Sequence, residues 1–227
     1  VSGANVLRVP KSEETRSLIV TTAMRLFTEN GYDRTTMRAI AAEAGVSVGN
    51  AYYYFSSKEQ LIQGFYDEIA RLHLDAARAQ LVHEPRFAER LKTVLLCWLE
   101  LAEPYHRFGT QFFVNAADPE SPLSPFSEES SAARDASIEL MREVVDGSDV
   151  KLDPELRAQL PELLWLFQMG VVLFWVHDRS AGEKRSRMLV ERSVPLLARL
   201  AALSRLRVFR PVSREIVDLI QDLAKRD

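Results

Sequence analysis

The side chains best suited to surface chemistry cluster between Thr35 and Leu61, in TTMRAIAAEAGVSVGNAYYYFSSKEQL. Asn50 carries an amide that can donate and accept side by side, the pattern that pairs with an adenine edge, and Val48 can touch a thymine methyl. Tyr52, Tyr53 and Tyr54 present hydroxyls of the kind that bond phosphate oxygens and fix register without reading sequence. Gly49 would let the backbone approach a groove wall. Lys58 stands in the first turn of the next expected helix, where its ammonium and the free N–H groups can hold one phosphate together. The chemistry suggested is recognition of double-stranded DNA.

The elements that must position these groups follow from periodicity. Met37, Ile40, Ala41 and Ala44 recur at i, i+3, i+4 and i+7, which predicts a helix with one buried face. Thr35 or Thr36 can cap its start. Gly45 can take positive φ cheaply and end it. Val46 then fills the corner, and Ser47 can cap a second short helix running to about Phe55. A helix, a tight glycine turn and a second helix form a helix-turn-helix, whose second helix enters the major groove. Ser57 to Gln60 is a capping box that opens a third helix. Periodicity alone groups Val48 with Ala51, Tyr52 and Phe55 on an apolar face. The bland alternative is a helical hairpin with its tyrosines in a core.

This stretch resembles the DNA-binding head of the TetR family of transcriptional regulators. Thr35, Thr36, Ile40, Ala41, Ala44, Gly45, Val46, Ser47, Gly49, Tyr52, Phe55, Lys58 and Leu61 meet the family pattern, as do Ala23, Leu26, Phe27, Gly31 and Tyr32 upstream. The likeness covers about residues 13–65. Ala51 departs where Leu or Ile is usual, and Tyr54 where His is common. The resemblance implies that Thr36, Tyr52, Tyr54 and Lys58 hold phosphates while Val48, Asn50 and Tyr53 face bases. Thr35, Arg38, Ser47 and Gly49 complete the expected DNA-facing set. It also buries Val46, Ala51 and Phe55 and turns Val48 outward, against the periodicity. The resemblance is preferred, because short helices give weak periodic signals. Gly45-Val46-Ser47-Val48-Gly49 also matches the G-x-S-x-G elbow of serine hydrolases, but that elbow needs a strand before the serine. An Ala-rich helix is expected there, so no catalytic residue is assigned and the chain is not read as an enzyme.

The net charge of −3 does not by itself advertise a nucleic-acid binder. Residues 1–60 hold seven Lys/Arg against six Asp/Glu, a difference of +1. A DNA face must therefore come from local arrangement, with Arg16, Arg25, Arg34, Arg38 and Lys58 as candidates, and weak charge favours binding as a dimer. The single cysteine, Cys97, excludes an internal disulfide and fits a reducing cytoplasm. No metal-ligand spacing, phosphate loop or dinucleotide fingerprint is present, so neither a cofactor nor a metal is expected. No secretory leader is visible. The apolar run Leu163–Val176 is interrupted by Gln168 and is short for a bilayer span, so no membrane partner is expected.

The fold class expected is all-α: a three-helix head joined by a long helix to a helical bundle. Residues 1–11 are expected to be a disordered or added arm, 12–60 the DNA-binding head, 61–203 an effector-binding and dimerisation domain, and 204–227 a tail helix packing on that body. The helix opened at Ser57 should run to about Leu81 without a flexible linker, tying head to body. Trp98, Phe108, Phe112, Phe113, Met141, Trp165, Met169 and Phe174 form an aromatic and methionine set, with His177 as a polar anchor. Such a set is commonly core. The resemblance implies that some of it lines a site for a small apolar effector. The last two body helices carry more apolar surface than one small core can cover. Leu163, Phe167, Val171, Trp175, Leu189, Val194, Leu197 and Leu200 are therefore expected at a two-fold interface between identical subunits. The alternatives kept open are a monomer covered by its tail, a helical small-molecule carrier or interaction module, and the serine hydrolase.

Overall fold

The computed structural model describes residues 11–106, 109, 116, 118 and 120–204. Among these there are eight α-helices and no strand. They are α1 (Lys11–Asn30), α2 (Met37–Glu43), α3 (Val48–Tyr54), α4 (Lys58–Leu81), α5 (Phe87–Ala102), α6 (Ser131–Asp146), α7 (Pro154–His177) and α8 (Lys184–Leu203). The chain divides into two compact units, one of residues 1–68 with 107–130, the other of residues 69–106 with 131–227. Helix α4 runs unbroken through the division at 68/69. Phe108, Phe112, Phe113 and the tail from Arg205 onward lie outside the described residues.

In the first unit, α1 buries Ile19, Ala23, Met24 and Phe27, and α2 buries Met37, Ile40 and Ala41. Leu61 and Ile62 at the start of α4 are also buried. Truncating a side chain such as Phe27, 1 % exposed, to alanine costs about 3–5 kcal/mol, because transfer and cavity terms add.

In the second unit, α7 packs on α6 and α8, and α5 packs on α8 and α6. Asp153 caps α7 by accepting from Glu155 N, with Pro154 in the first turn. Pro161 and Pro195 lie inside α7 and α8, which continue through them as single helices. With 24 residues, α7 is long and apolar enough to cross a membrane on length and composition. That corrects the expectation drawn from the shorter apolar run. Its buried face packs on neighbouring helices, as a core helix does.

Two buried charges organise this unit, and neither stands out in the sequence. Arg90 of α5 donates to the carbonyls of Leu81, Glu84, Glu143 and Val144, gathering the ends of α4 and α6. A cation at these carbonyl ends complements both helix dipoles. Gly147 leaves it room: a Cβ there would collide with the Arg90 guanidinium. Asp178, between α7 and α8, accepts from Ser180 N and Oγ on one oxygen and from Ser186 N and Oγ on the other. Burial raises the Asp178 pKa, but these four bonds outweigh burial and bring it down to about 2.

A carboxyl held below its unfolded value of about 3.9 stabilises the fold above that pH and loses the contribution as pH falls towards 2. Asp178→Asn, whose amide N–H would oppose backbone or hydroxyl donors, should cost about 2–3 kcal/mol at pH 7. Denaturant melts should show the gap to wild type closing between about pH 4 and pH 2. Equal stability at neutral pH would contradict this account of Asp178.

Candidate nucleic-acid interface

The candidate surface is built on α3 and its flanks, all within the first unit. Thr36 Oγ1 accepts from Ala39 N at 3.2 Å and caps α2. Gly45, at φ +67°, turns the chain out of α2. Ser47 Oγ accepts from Asn50 N at 3.0 Å and caps α3. Ser57 Oγ accepts from Gln60 N, and Gln60 Oε1 accepts from Ser56 N at 2.9 Å, so the box at the start of α4 closes one residue earlier than expected. Each cap satisfies a free N–H of a first turn and fixes where a helix starts.

Helix α3 has one buried edge, formed by Ala51 and Phe55, which are 0 % and 2 % exposed. The other side is open. Val48 is 38 % exposed, Tyr52 50 % and Tyr53 81 %, and Gly49 and Asn50 are exposed with them. The structure thus turns Val48 outward, as the family pattern implied and the periodicity did not; Val46 is half-buried. Tyr54 is half-buried and meets the Tyr53 ring edge-on, with centroids 5.2 Å apart.

Gly64 of α4, which the sequence did not single out, sets the seat of α3. A Cβ on Gly64 would stand 2.8 Å from Phe55 Cε1 and 3.2 Å from Arg16 Nη2. The Phe55 ring can lie against α4 only because position 64 has no side chain. The Arg16 guanidinium lies over the other part of this contact, 5.2 Å from the Phe55 ring centroid, and pairs with Asp67 at 3.7 Å.

Several expected DNA-facing groups are committed elsewhere. Thr35 is a correction: it is 2 % exposed, and its hydroxyl donates to the carbonyls of Gly31 and Leu26, tying the end of α1 to the start of α2. Arg25 is held by Glu29 and Glu43, and Arg34 Nε donates to Asn30 O. Lys58 Nζ donates to Tyr32 O at 2.8 Å and sits 4.1 Å from the Tyr32 ring centroid. Burial and then the hydrogen bond from its hydroxyl to Glu59 raise the Tyr32 pKa, so this ring stays neutral. Arg38 is exposed and has no ion-pair partner among the described residues. Ser47 follows helix α2 and caps α3, so the strand that a nucleophile elbow requires is not in place.

The body residues divide similarly. Met141 and Trp165 are buried, and Trp98 and Met169 are half-buried. Phe174 and His177 are corrections to the effector set. Both are exposed, and His177 Nδ1 donates to Leu173 O within its own helix. Of the expected interface residues, Val171, Trp175 and Val194 are buried within their own subunit and cannot meet a partner. Leu163, Phe167, Leu189 and Leu197 are half-buried. Leu200 is 64 % exposed and shares its face with exposed Leu196 and Leu203. On α7 the exposed row is Leu166, Gly170, Leu173 and Phe174, the i, i+4, i+7, i+8 spacing of one helix face. Residue type could not locate this row, because the buried and exposed faces of α7 are equally apolar.

Gly64→Ala tests the seat of α3. Helix propensity alone would favour alanine by about 1 kcal/mol. Overpacking against a rigid ring costs about 1–3 kcal/mol, so the variant should be less stable by about 1 kcal/mol or more in denaturant melts. Greater stability would show that Phe55 has room to move.

Comparison with known proteins adds two family matches. The description "Bacterial regulatory proteins, tetR family" matches residues 19–64, and "Tetracyclin repressor-like, C-terminal domain" matches residues 90–223. The HTH-type transcriptional regulator TtgR of Pseudomonas putida is 39 % identical over 69 residues, which is 30 % of this chain and 33 % of that protein. The chain therefore aligns with about a third of the length of that curated relative. Two solved structures share the fold. A TetR transcriptional regulator from Nitrosomonas europaea ATCC 19718 has TM-score 0.61 and 20 % identity over 81 % of this chain and 97 % of that one. The transcriptional regulator FadR from Bacillus subtilis, in complex with stearoyl-CoA, has TM-score 0.62 and 17 % identity over 80 % of this chain and 97 % of that one.

Proposed function

The chain belongs to the TetR family of bacterial regulatory proteins, and on that premise we propose that it is a homodimeric, cytoplasmic transcriptional repressor, released from a near-palindromic operator by a small effector with an apolar body. One observation carries the DNA-binding part. Helix α3 is capped at its start, anchored on one edge by Ala51 and Phe55, and leaves Val48, Gly49, Asn50, Tyr52 and Tyr53 uncovered together. Asn50 and Val48 are the base readers in this reading, with Tyr53 beside them. Thr36, Tyr52, Tyr54 and Arg38 hold phosphates. Lys58 does so with donors left after its bond to Tyr32.

Dimerisation is supported by the apolar rows on α7 and α8. Leu166, Leu173, Phe174, Leu196 and Leu200 are all more than 40 % exposed, which is much uncovered apolar surface for a soluble helix pair. Gly170 in the middle of the α7 row would let a partner helix approach closely. Two-fold pairing of these helices forms a four-helix interface and sets two copies of α3 on successive half-sites. The effector part rests on the family and on the aromatic content of the body. A neighbour of the same fold in complex with stearoyl-CoA is consistent with an apolar-bodied effector. Release works only if the effector binds the two states of the dimer with different affinity.

Leu173→Arg combined with Leu200→Arg should shift sedimentation from a dimer to a monomer near 25.8 kDa at micromolar concentration. The same variant should lose most of its affinity for duplex DNA, because one head makes half the contacts. An unchanged dimer would move the interface elsewhere. In titrations of random-sequence duplex, Tyr52→Ala should weaken binding uniformly. Asn50→Ala should relax preference at one position per half-site by about 1–3 kcal/mol. An unaltered preference profile in Asn50→Ala would overturn its assignment as a base reader.

A further inference from the structure

Two buried polar atoms on α7 have no hydrogen-bond partner among the described residues: the Gln168 side-chain carbonyl oxygen and the Trp175 indole N–H. Gln168 is 2 % exposed and Trp175 4 %. Interior polar atoms left this way are uncommon in folded proteins and ask for a partner. The two residues are seven apart, so they lie on one face, about 10 Å apart along the helix axis. Trp175 shows where that face looks. Its ring meets the Trp98 ring of α5 edge-on, with centroids 5.2 Å apart, and the His106 ring at 4.7 Å. The face carrying both unpaired atoms therefore meets α5 at its Trp175 end, where it is bordered by large aromatic rings.

Charge narrows what could pair with them. The buried ionic groups of this unit, among the described residues, are Arg90 and Asp178. Arg90 spends its N–H groups on four carbonyls. Asp178 spends both oxygens on the N–H and hydroxyl groups of Ser180 and Ser186. Buried His73 bonds Val94 O, and burial lowers its pKa, which favours the neutral ring. Beside Trp175, the Glu183 carboxylate already faces the His106 ring at 3.6 Å, so a charged ligand entering here would lose its hydration and find no unengaged counter-charge among these groups. An uncharged ligand with one donor and one acceptor would satisfy both unpaired atoms and cover the aromatic rings.

Resting on the reading of this chain as an effector-released regulator, we propose that the effector is an elongated, uncharged molecule. One of its groups donates a hydrogen bond to Gln168 Oε1, and a second group farther along the molecule accepts one from Trp175 Nε1. The chemical class is that of alcohols, phenols and neutral amides with an apolar body, and carboxylates and ammonium ions are disfavoured.

The test addresses the Gln168 end of the site with the full chain and three probes with the same ten-carbon tail: 1-decanol, whose hydroxyl supplies the donor, decanoate and decyltrimethylammonium. Tryptophan fluorescence and thermal melting should report binding of 1-decanol, with decanoate and the cation at least tenfold weaker. Gln168→Leu should raise the melting midpoint of the probe-free protein by a few degrees, because it removes an unpaired buried carbonyl. It should also weaken 1-decanol at least tenfold. A midpoint at or below wild type would mean that a trapped water alone satisfies Gln168, and would overturn the proposal. So would decanoate binding as well as 1-decanol, or binding of none of the three. Binding of wild-type protein to duplex DNA without any probe is scored separately. Its failure would sink the regulator reading and leave the ligand result standing.

Discussion

The head depends on one close contact. The Phe55 ring lies against the bare backbone of Gly64, with the Arg16 guanidinium over it and Asp67 beyond. Phe55 caps the end of α3 and Gly64 lies in α4, so this contact fixes the angle between α3 and the first turns of α4. Ala51, fully buried one turn earlier, is the second point of attachment. Two buried points on one edge of a seven-residue helix leave its other sides uncovered. The same packing that holds α3 therefore decides which side chains it offers. A bulkier residue at 51 or any side chain at 64 would rotate or lift that face.

The body is organised by a different logic. The buried charges among its described residues, Arg90 and Asp178, are saturated by backbone and hydroxyl groups, and each joins the ends of helices. A buried charge left unpaired is costly, so Arg90 and Asp178 act as fixed pins. Exposed leucines and Phe174 line α7 and α8, and inside, the Gln168 carbonyl oxygen and the indole N–H of Trp175, whose ring meets Trp98, are unpaired among the described residues. In the proposed function the first set meets a second copy of the chain and the second meets the effector.

Much of the head was legible in the sequence. Thr36 and Ser47 cap, Gly45 turns, and the i, i+3, i+4 spacing of Met37, Ile40 and Ala41 marks a buried face, because these signals are local and depend on residue type. Thr35 and Gly64 were not legible. Both neighbouring threonines have the right type for a surface role, and only tertiary packing puts Thr35 inside. Gly64 reads as an unremarkable helical glycine until the Phe55 ring is placed against it. The end of the linking helix at about Leu81 was legible too, and α4 stops there. The uncovered apolar face was not, because α7 is apolar nearly all round and periodicity cannot say which apolar face its own subunit covers. Val171, Trp175 and Val194 proved internal for that reason, while Leu166, Leu173 and Leu196 remain uncovered.

In the proposed function the uncovered face of α3 reads duplex DNA as one of a symmetric pair. Selection of bound fragments from random duplex DNA by the purified protein, at low and near-physiological salt, tests it most directly. The account predicts enrichment of a two-fold symmetric site whose half-sites are spaced by about one helical turn or a multiple of it, with affinity falling steeply as salt rises. Flat enrichment at both salt concentrations, with and without a cell extract of small molecules, would contradict it.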